Sequence, residues 1–301
     1  MEKISPRVDI AFKKIFAVEE NKDLLISLIN SIVGKDDQVV DVTLLNPYNP
    51  KNFRNDKFSI VDIKAEGDNG KRFNIEIQIF DEGDYDKRAL YYWAKLYTEQ
   101  LKQGDSFSSL EKAIGIHILN FTSIPQVSDY HNVFHIREKE SQLLYFEDLE
   151  LHTIELKKFC PEDRENLVDL IAKVKTSLDM WVAFLTRHDL LAKDNLPPPL
   201  NDPSLQKALQ VLEVMNFKPD EREAYEGQLK WLRIETSTLN NATNKGIKIG
   251  KEIGIQEERV EIAKKMLQQR FSIDQVVQVT GFTQEEILQH MHCLTDIYSK
   301  N

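Results

Sequence analysis

"FSIVDIKAEGDNGKRFNIEIQIF", residues 58–80, alternates apolar and polar residues on both sides of a central turn. Successive side chains of a strand point to opposite faces, so the face of each can be read directly. Val61, Ile63 and Ala65 share one face of the first strand, and Phe73, Ile75, Ile77 and Ile79 share one face of the second. The two apolar sets must lie on the same side if the hairpin is to bury anything. A two-residue Asn69-Gly70 loop would pair Asp62 with Ile77 and mix the faces. A three-residue loop, Asp68-Asn69-Gly70 with Gly70 in the left-handed conformation, keeps them apart. That register sets Glu66 opposite Arg72, an attractive pair, and Asp62 opposite Glu76, with Gln78 next along the same face. Two carboxylates with Cβ atoms roughly 5 Å apart repel unless something positive joins them. A hard cation such as Mg²⁺, which takes one or two carboxylates and phosphate oxygens, is one answer. A solvated polar face on an edge hairpin is the other.

The chain has 301 residues, enough for two domains or one large one with an appendage. Its 41% apolar and 29% charged residues are ordinary for a globular protein. No apolar run approaches the ~20 residues of a membrane span, and no signal-peptide pattern opens the chain, so cytoplasm is the expected location and no membrane the expected partner. Cys160 and Cys293 are too far apart in sequence to suggest a disulfide framework or a zinc site. None of the seven histidines falls in a His-Glu-x-x-His pattern, and His131/His135 and His290/His292 read as structural or exposed. A net charge of −10 argues against phosphate binding by the whole surface but leaves room for a local basic patch.

Working outward, Ser5-Pro6 reads as a helix start, Ser as N-cap and Pro in the first turn, before the apolar positions Ile10, Phe12, Ile15 and Phe16. Asp9 sits in that first turn, where it suits the helix dipole. A second helix runs from about Lys22 to Val33 and stops at Gly34, and "QVVDVTLLNP" reads as a strand. Residues 85–103 form a helix ended by Gly104, with Leu90, Trp93, Ala94, Tyr97 and Leu101 toward the core. "KAIGIHILNF", 112–121, suits a central strand buried on both faces, and "NVFHIRE" and "QLLYFEDLELHTIEL" extend the sheet. After Pro161 the pattern turns helical, with "ENLVDLIAKVKTSLDMWVAFLT" the clearest helix, "NLPPPLNDP" a loop, and two further helices behind it. In the tail, Gly246, Gly250 and Gly254 recur every four residues, either as a bare stripe on a helix, at a cost of roughly 2 to 3 kcal/mol against alanine, or as a hinge. "SIDQVVQVTGFTQEEILQ", 272–289, has the outline of a helix-turn-helix. Its second helix carries Gln284, Glu285, Glu286 and Gln289 and no Arg or Lys, which fits packing or partner binding better than a DNA groove.

"VDIKAEGDNGKRFNIEIQ", followed by "DKRALYYWAKLYTEQL" and preceded by "PRVDIAFKKIF", resembles the Rpn family of recombination-promoting nucleases, also described as transposases of the PD-(D/E)xK nuclease superfamily. The likeness runs from about Ser5 to Phe121 and resumes weakly at the C-terminus. It implies an α/β fold, a restriction-endonuclease-like mixed sheet flanked by helices, with a helical C-terminal half. Domains are expected at 1–160 for the nuclease core, 161–236 for a helical region and 237–301 for the tail, through which copies of the chain would associate. In that superfamily an Asp on one strand and a Glu-x-Lys on its antiparallel neighbour hold Mg²⁺, with Mn²⁺ as a substitute, and activate water. This maps onto Asp62 and Glu76-Ile77-Gln78.

The Lys position is Gln78 here, as it often is within the family, and an amide brings no positive charge. Lys64, two residues after Asp62 on the same face, either reaches in as a substitute or is an ordinary surface lysine. In the family pattern D-x-x-F-K the acid, here Asp9, stands near the active-site strands. Arg88 either meets a phosphate or Glu76 or is solvated, and Tyr91 and Tyr92 either line a nucleic-acid path or belong to a helix packed on the sheet. The implied activity is metal-dependent endonucleolytic cleavage of DNA. The alternatives are a DNA-binding or assembly protein that kept the fold and lost efficient catalysis, and a phage-defence or toxin-like effector nuclease.

Overall fold

The structure, a computed structural model, describes residues 4–47, 62–81, 83–161, 165–215 and 217–288, with Asp62 described in its backbone alone. Val61, Gln289, His290, His292 and Cys293, all named above, lie outside the described residues. In chain order the elements are α1 (Asp9–Phe16), α2 (Lys22–Ile32), β1 (Val42–Leu44), β2 (Asp62–Gly67), β3 (Arg72–Gln78), α3 (Tyr85–Thr98), β4 (Ala113–Leu119), β5 (His131–Arg137), β6 (Leu144–Glu155), α4 (Leu156–Phe159), α5 (Leu167–Lys173), α6 (Ser177–Arg187), α7 (Pro203–Val214), α8 (Pro219–Gln268) and α9 (Ile273–Thr280).

The six strands form one mixed sheet in the order β1-β2-β3-β4-β6-β5. β3, β4 and β6 run parallel through its centre, while β1–β2, β2–β3 and β5–β6 are antiparallel. Parallel strands need a crossover, and α3 supplies it between β3 and β4 while covering one face of the sheet. Every residue of β4 is consequently buried, as its unbroken apolar run leads one to expect.

The other face carries the main core. Ile75, Ile116 and Ile154 from the sheet pack there with Phe12 and Phe16 of α1, Leu25 of α2, Trp181 and Phe184 of α6 and Leu205 of α7. Trp181 is fully buried, edge-on to Phe16 with ring centroids 5.4 Å apart, and donates from Nε1 to the Ser27 hydroxyl at 3.3 Å. One core therefore spans both sides of the expected boundary at residue 160. The chain divides instead into two compact units, 1–229 and 230–301.

Three helix boundaries differ from expectation. α1 begins at Asp9 behind the N-cap Val8, because Ser5 through Val8 form a turn closed by the Val8 amide on the Ser5 carbonyl at 3.3 Å. α3 ends at Thr98, one turn short of the stretch before Gly104, and its inward residues are Tyr85, Ala89, Trp93 and Leu96, with Leu90 half exposed. The expected helix over 165–186 is two, because Thr176 caps a new one through its side chain on the Asp179 amide, and Asp179 answers on the Thr176 amide. The glycines of the tail lie within α8, so the helical alternative is the one the backbone takes. A Cβ added at Gly246, Gly250 or Gly254 would meet nothing within 4 Å.

The second unit has a small core of its own. Ala263 near the end of α8 packs with Val276 of α9 and with Phe282 and Ile287, the last within helical backbone over 284–288. Ser272 and Gln275 form a capping box at the start of α9, and Gly281 ends it in the left-handed conformation at φ 73°. The helix-turn-helix outline is thus completed by the last turns of α8, which lie upstream of the stretch that suggested it.

Candidate active site

The β2–β3 hairpin adopts the three-residue loop. Gly67 donates to the Lys71 carbonyl at 2.9 Å, Gly70 donates to the Gly67 carbonyl at 3.0 Å, and Gly70 has φ 79°. Asp62 pairs with Glu76, Lys64 with Asn74, and Glu66 with Arg72, the last as an ion pair of 3.1 Å. The alternative of a solvated edge face does not hold. β3 is an inner strand, and Asn74 and Glu76 are 1% and 3% exposed beneath α3.

A buried carboxylate is costly unless charge or hydrogen bonds compensate it. Around Glu76, Arg88 of α3 places Nη2 3.7 Å from Oε1, and His117 of β4 places Nδ1 3.9 Å from Oε2. Arg88 also lies over the Tyr85 ring at 5.2 Å, one turn earlier on the helix. Of the three alternatives for Arg88, contact with Glu76 is the one seen here. Tyr85 Oη and His117 Nδ1 are 2.6 Å apart. Burial, with the charge of Glu76 adding, holds the Tyr85 phenol well above its usual range. Burial, with His152 and Arg88 adding, pushes the His117 imidazole down to about 3.

Gln78 closes β3, half buried, and donates to the Phe80 carbonyl at 3.1 Å. Its own carbonyl accepts from the Asn120 amide at 2.8 Å, and Asn120 Oδ1 accepts from Arg7 at 2.9 Å. This chain of bonds brings the N-terminus of α1 to the carboxyl ends of β3 and β4. Asp9 follows two residues later, 3.8 Å from Lys13, both side chains about nine-tenths buried. Lys64 is turned elsewhere: its ammonium lies 3.0 Å from Glu99, just past α3. Its partner Asn74 is four residues, roughly 13 Å, from Gln78 along β3. Tyr91 is 63% exposed and meets the Tyr92 ring at 5.6 Å, and Tyr92 is close enough to Tyr85 to act on its phenol electrostatically.

Of the residues singled out in the sequence, Glu76, Gln78, Asp9 and Arg88 lie at or near this end of the sheet, together with Arg7, Tyr85, His117 and Asn120, which were not singled out. The usable signal for His117 was a lone imidazole within an otherwise apolar strand buried on both faces. Among the described residues no group of three or more His, Cys, Asp or Glu side chains stands together as a metal cage. What the described part offers a divalent ion is a buried carboxylate, Glu76, directly opposite the backbone of a second acid. That donor chemistry fits a hard cation.

A second polar network lies apart from Glu76. Lys112 joins Asp37 and Glu150 at 2.8 Å each, Glu150 accepts from His152 at 2.7 Å, and His152 meets His131 at 2.9 Å. Burial and the neighbouring His152 push His131 down to about 4. Burial opposes ionisation of Glu150, but His152 and Lys112 outweigh it and bring the carboxyl down to about 2. Unfolding returns His117 and His131 to the ordinary imidazole value of 6.5, so below 6.5 the unfolded chain binds more protons and stability falls with pH. Glu150 adds a loss of the same sign from 4.5 down to about 2. The urea midpoint should therefore drop steadily as pH falls from 6.5 to about 4, and a flat midpoint over that window would contradict these buried neutral histidines.

Among the described residues no helix is long and apolar enough to cross a membrane. No curated protein and no solved structure matches the chain. Residues 256–292 match the C-terminal helix-turn-helix domain of the Rpn/YhgA-like nuclease family, over the segment where α8, α9 and residues 284–288 share a core. Residues 6–242 match the PD-(D/E)XK nuclease family transposase model, a span that holds the whole sheet, Glu76 and the helices around it, and with it the chain belongs to the Rpn-type PD-(D/E)XK nuclease family.

Proposed function

We propose that this chain cuts DNA as a divalent-metal-dependent endonuclease. The observation that carries the reading is the in-register pairing of Asp62 with Glu76, the latter a buried carboxylate faced by one arginine and one histidine. Asp62 and Glu76 would hold Mg²⁺ or Mn²⁺. When bound, such an ion lowers the pKa of a water and polarises the scissile phosphate. Gln78 orients the attacking water through its side-chain amide. Arg88 leaves Glu76 for a phosphate oxygen, which a guanidinium can meet with two parallel hydrogen bonds. Asp9 adds a third acid at the same rim of the sheet, while the helix-turn-helix unit, whose second helix carries no Arg or Lys, serves packing or partner binding. Glycines on α8, where nothing stands within 4 Å of an added Cβ, fit close approach of a second copy of the chain.

A specific observation favours a second reading, a DNA-binding or assembly protein with little catalysis. Gln78 replaces the superfamily lysine, and the nearest lysine on that face of β2, Lys64, is engaged by Glu99. Incubation of the purified protein with supercoiled plasmid separates the two. Nicking with Mg²⁺ or Mn²⁺ that stops in excess EDTA supports the nuclease, and nicking that persists in EDTA sinks the metal mechanism. Single-turnover rates then locate the missing charge. If Lys64 provides it, Lys64→Ala slows cleavage by roughly 10² or more, the scale of one lost transition-state stabiliser, and Gln78→Lys restores part of the rate. A Lys64→Ala protein as fast as its parent assigns the charge to Arg88 or to a second metal ion.

A further inference from the structure

β4 is apolar or glycine at every position except His117, and that imidazole is 1% exposed. Its register partner on β3 is Glu76, and its register partner on β6 is Thr153. The ring extends over Gly115. A Cβ placed there would stand 2.9 Å from His117 Nε2 and 2.7 Å from a Leu151 methyl, so any side chain at 115 would displace the ring. At the other end Nδ1 meets the Tyr85 hydroxyl at 2.6 Å. Which of the two donates across that bond depends on the tautomer of the ring. Nδ1, held by Tyr85, also stands 3.9 Å from Glu76 Oε2, whereas Arg88 approaches the other oxygen, Oε1.

We infer that His117 is a positioning residue for Glu76: seated over Gly115 and tied to Tyr85, it braces the carboxylate in the orientation that faces Asp62. The inference rests on the reading that Asp62 and Glu76 take a divalent cation. Groups that orient a metal ligand from behind typically change affinity 10- to 100-fold when removed. A histidine kept only to fill the core would change stability and leave the affinity of the folded protein unaltered.

The test is Mn²⁺ binding to the full-length protein, followed by the paramagnetic resonance of free Mn²⁺, together with plasmid nicking over a range of Mn²⁺ concentrations. His117→Leu should weaken Mn²⁺ roughly 10-fold or more and shift the Mn²⁺ dependence of nicking by the same factor, with much of the rate recovered at saturating metal. His117→Asn, whose amide can occupy the place of Nδ1, should restore most of the affinity. Tyr85→Phe removes one hydroxyl and keeps the ring, so it remains informative if His117→Leu fails to fold, and it should weaken Mn²⁺ in the same direction. Parental affinity in Tyr85→Phe and in the folded His117 variants overturns the inference, as does a His117→Asn no better than His117→Leu. If the parent itself binds no Mn²⁺, or binds it equally well as Asp62→Ala, the reading beneath the inference falls, a result distinct from failure of the inference alone.

Discussion

Glu76→Gln should abolish metal-dependent nicking, by roughly 10³-fold or more, while leaving the protein folded. The substitution keeps the shape of the side chain and removes only the charge. The loss should exceed that of a single oxyanion donor, because the ion serves both the nucleophile and the phosphate. Folding should survive because Arg88 is about a quarter exposed and can turn its guanidinium to water once Glu76 is neutral. Asp62→Asn should behave alike, being the residue opposite in register. The two changes should also fail to add: a double variant no slower than the slower single one is expected when two residues act as a unit on one ion. Losses that multiply, or a Glu76→Gln protein within tenfold of its parent, would mean that the pair does not share a metal.

A chain cut after Cys160 should not fold, whereas one cut near Leu239 should fold and nick. The first cut removes Trp181, Phe184, Leu205 and Leu209, each 3% exposed or less within the main core. At about 1.5–3 kcal/mol for each large apolar side chain, the loss of these four alone rivals the 5–15 kcal/mol that holds a typical domain together. The single change Trp181→Ala should cost about 3–5 kcal/mol, read from the denaturant midpoint. The second cut leaves the 1–229 unit entire and removes only the later part of α8 and the helix-turn-helix. It should lose any self-association in sedimentation while keeping metal-dependent nicking per molecule. A folded, cooperative 1–160 fragment would restore the boundary expected from sequence.

The hairpin was legible because two independent constraints converge on it: an alternating pattern that admits one register, and a glycine at the position that must turn left-handed. From that register the opposition of Asp62 and Glu76 follows. α3 was harder because two of its faces are plausible by spacing. The face with Leu90 and Leu101 is the more apolar, yet the face that meets the sheet carries Tyr85 and Ala89, since a buried glutamate and histidine lie beneath it and a small residue lets the helix come close. The break at Val174–Thr176 was signalled by Thr176 with Asp179 three residues on, a pattern easily passed over inside a long apolar run. Arg7 and Asn120 lay beyond reach, because their contact spans 113 residues and no local period encodes it. The helix-turn-helix read as weak since only its last two helices were sought, and the third is the end of a helix fifty residues long.

The anchoring of α1 sets an order of events during synthesis. The Ser5 amide donates to the Tyr225 hydroxyl at 2.9 Å, and Lys14 pairs with Glu221 at 2.7 Å, so both clamps on the first helix are among the last parts of the 1–229 unit to be translated. A nascent chain that has just made β4 already holds Asp62, Glu76, Gln78 and His117, but these two clamps on α1 close only after the residues that make them, Glu221 and Tyr225, have left the ribosome. The hairpin, closed by a contact over 14 residues, forms early and before those clamps exist. If Asp9 acts with Asp62 and Glu76 as proposed, that grouping is fully clamped only once the 1–229 unit has been made.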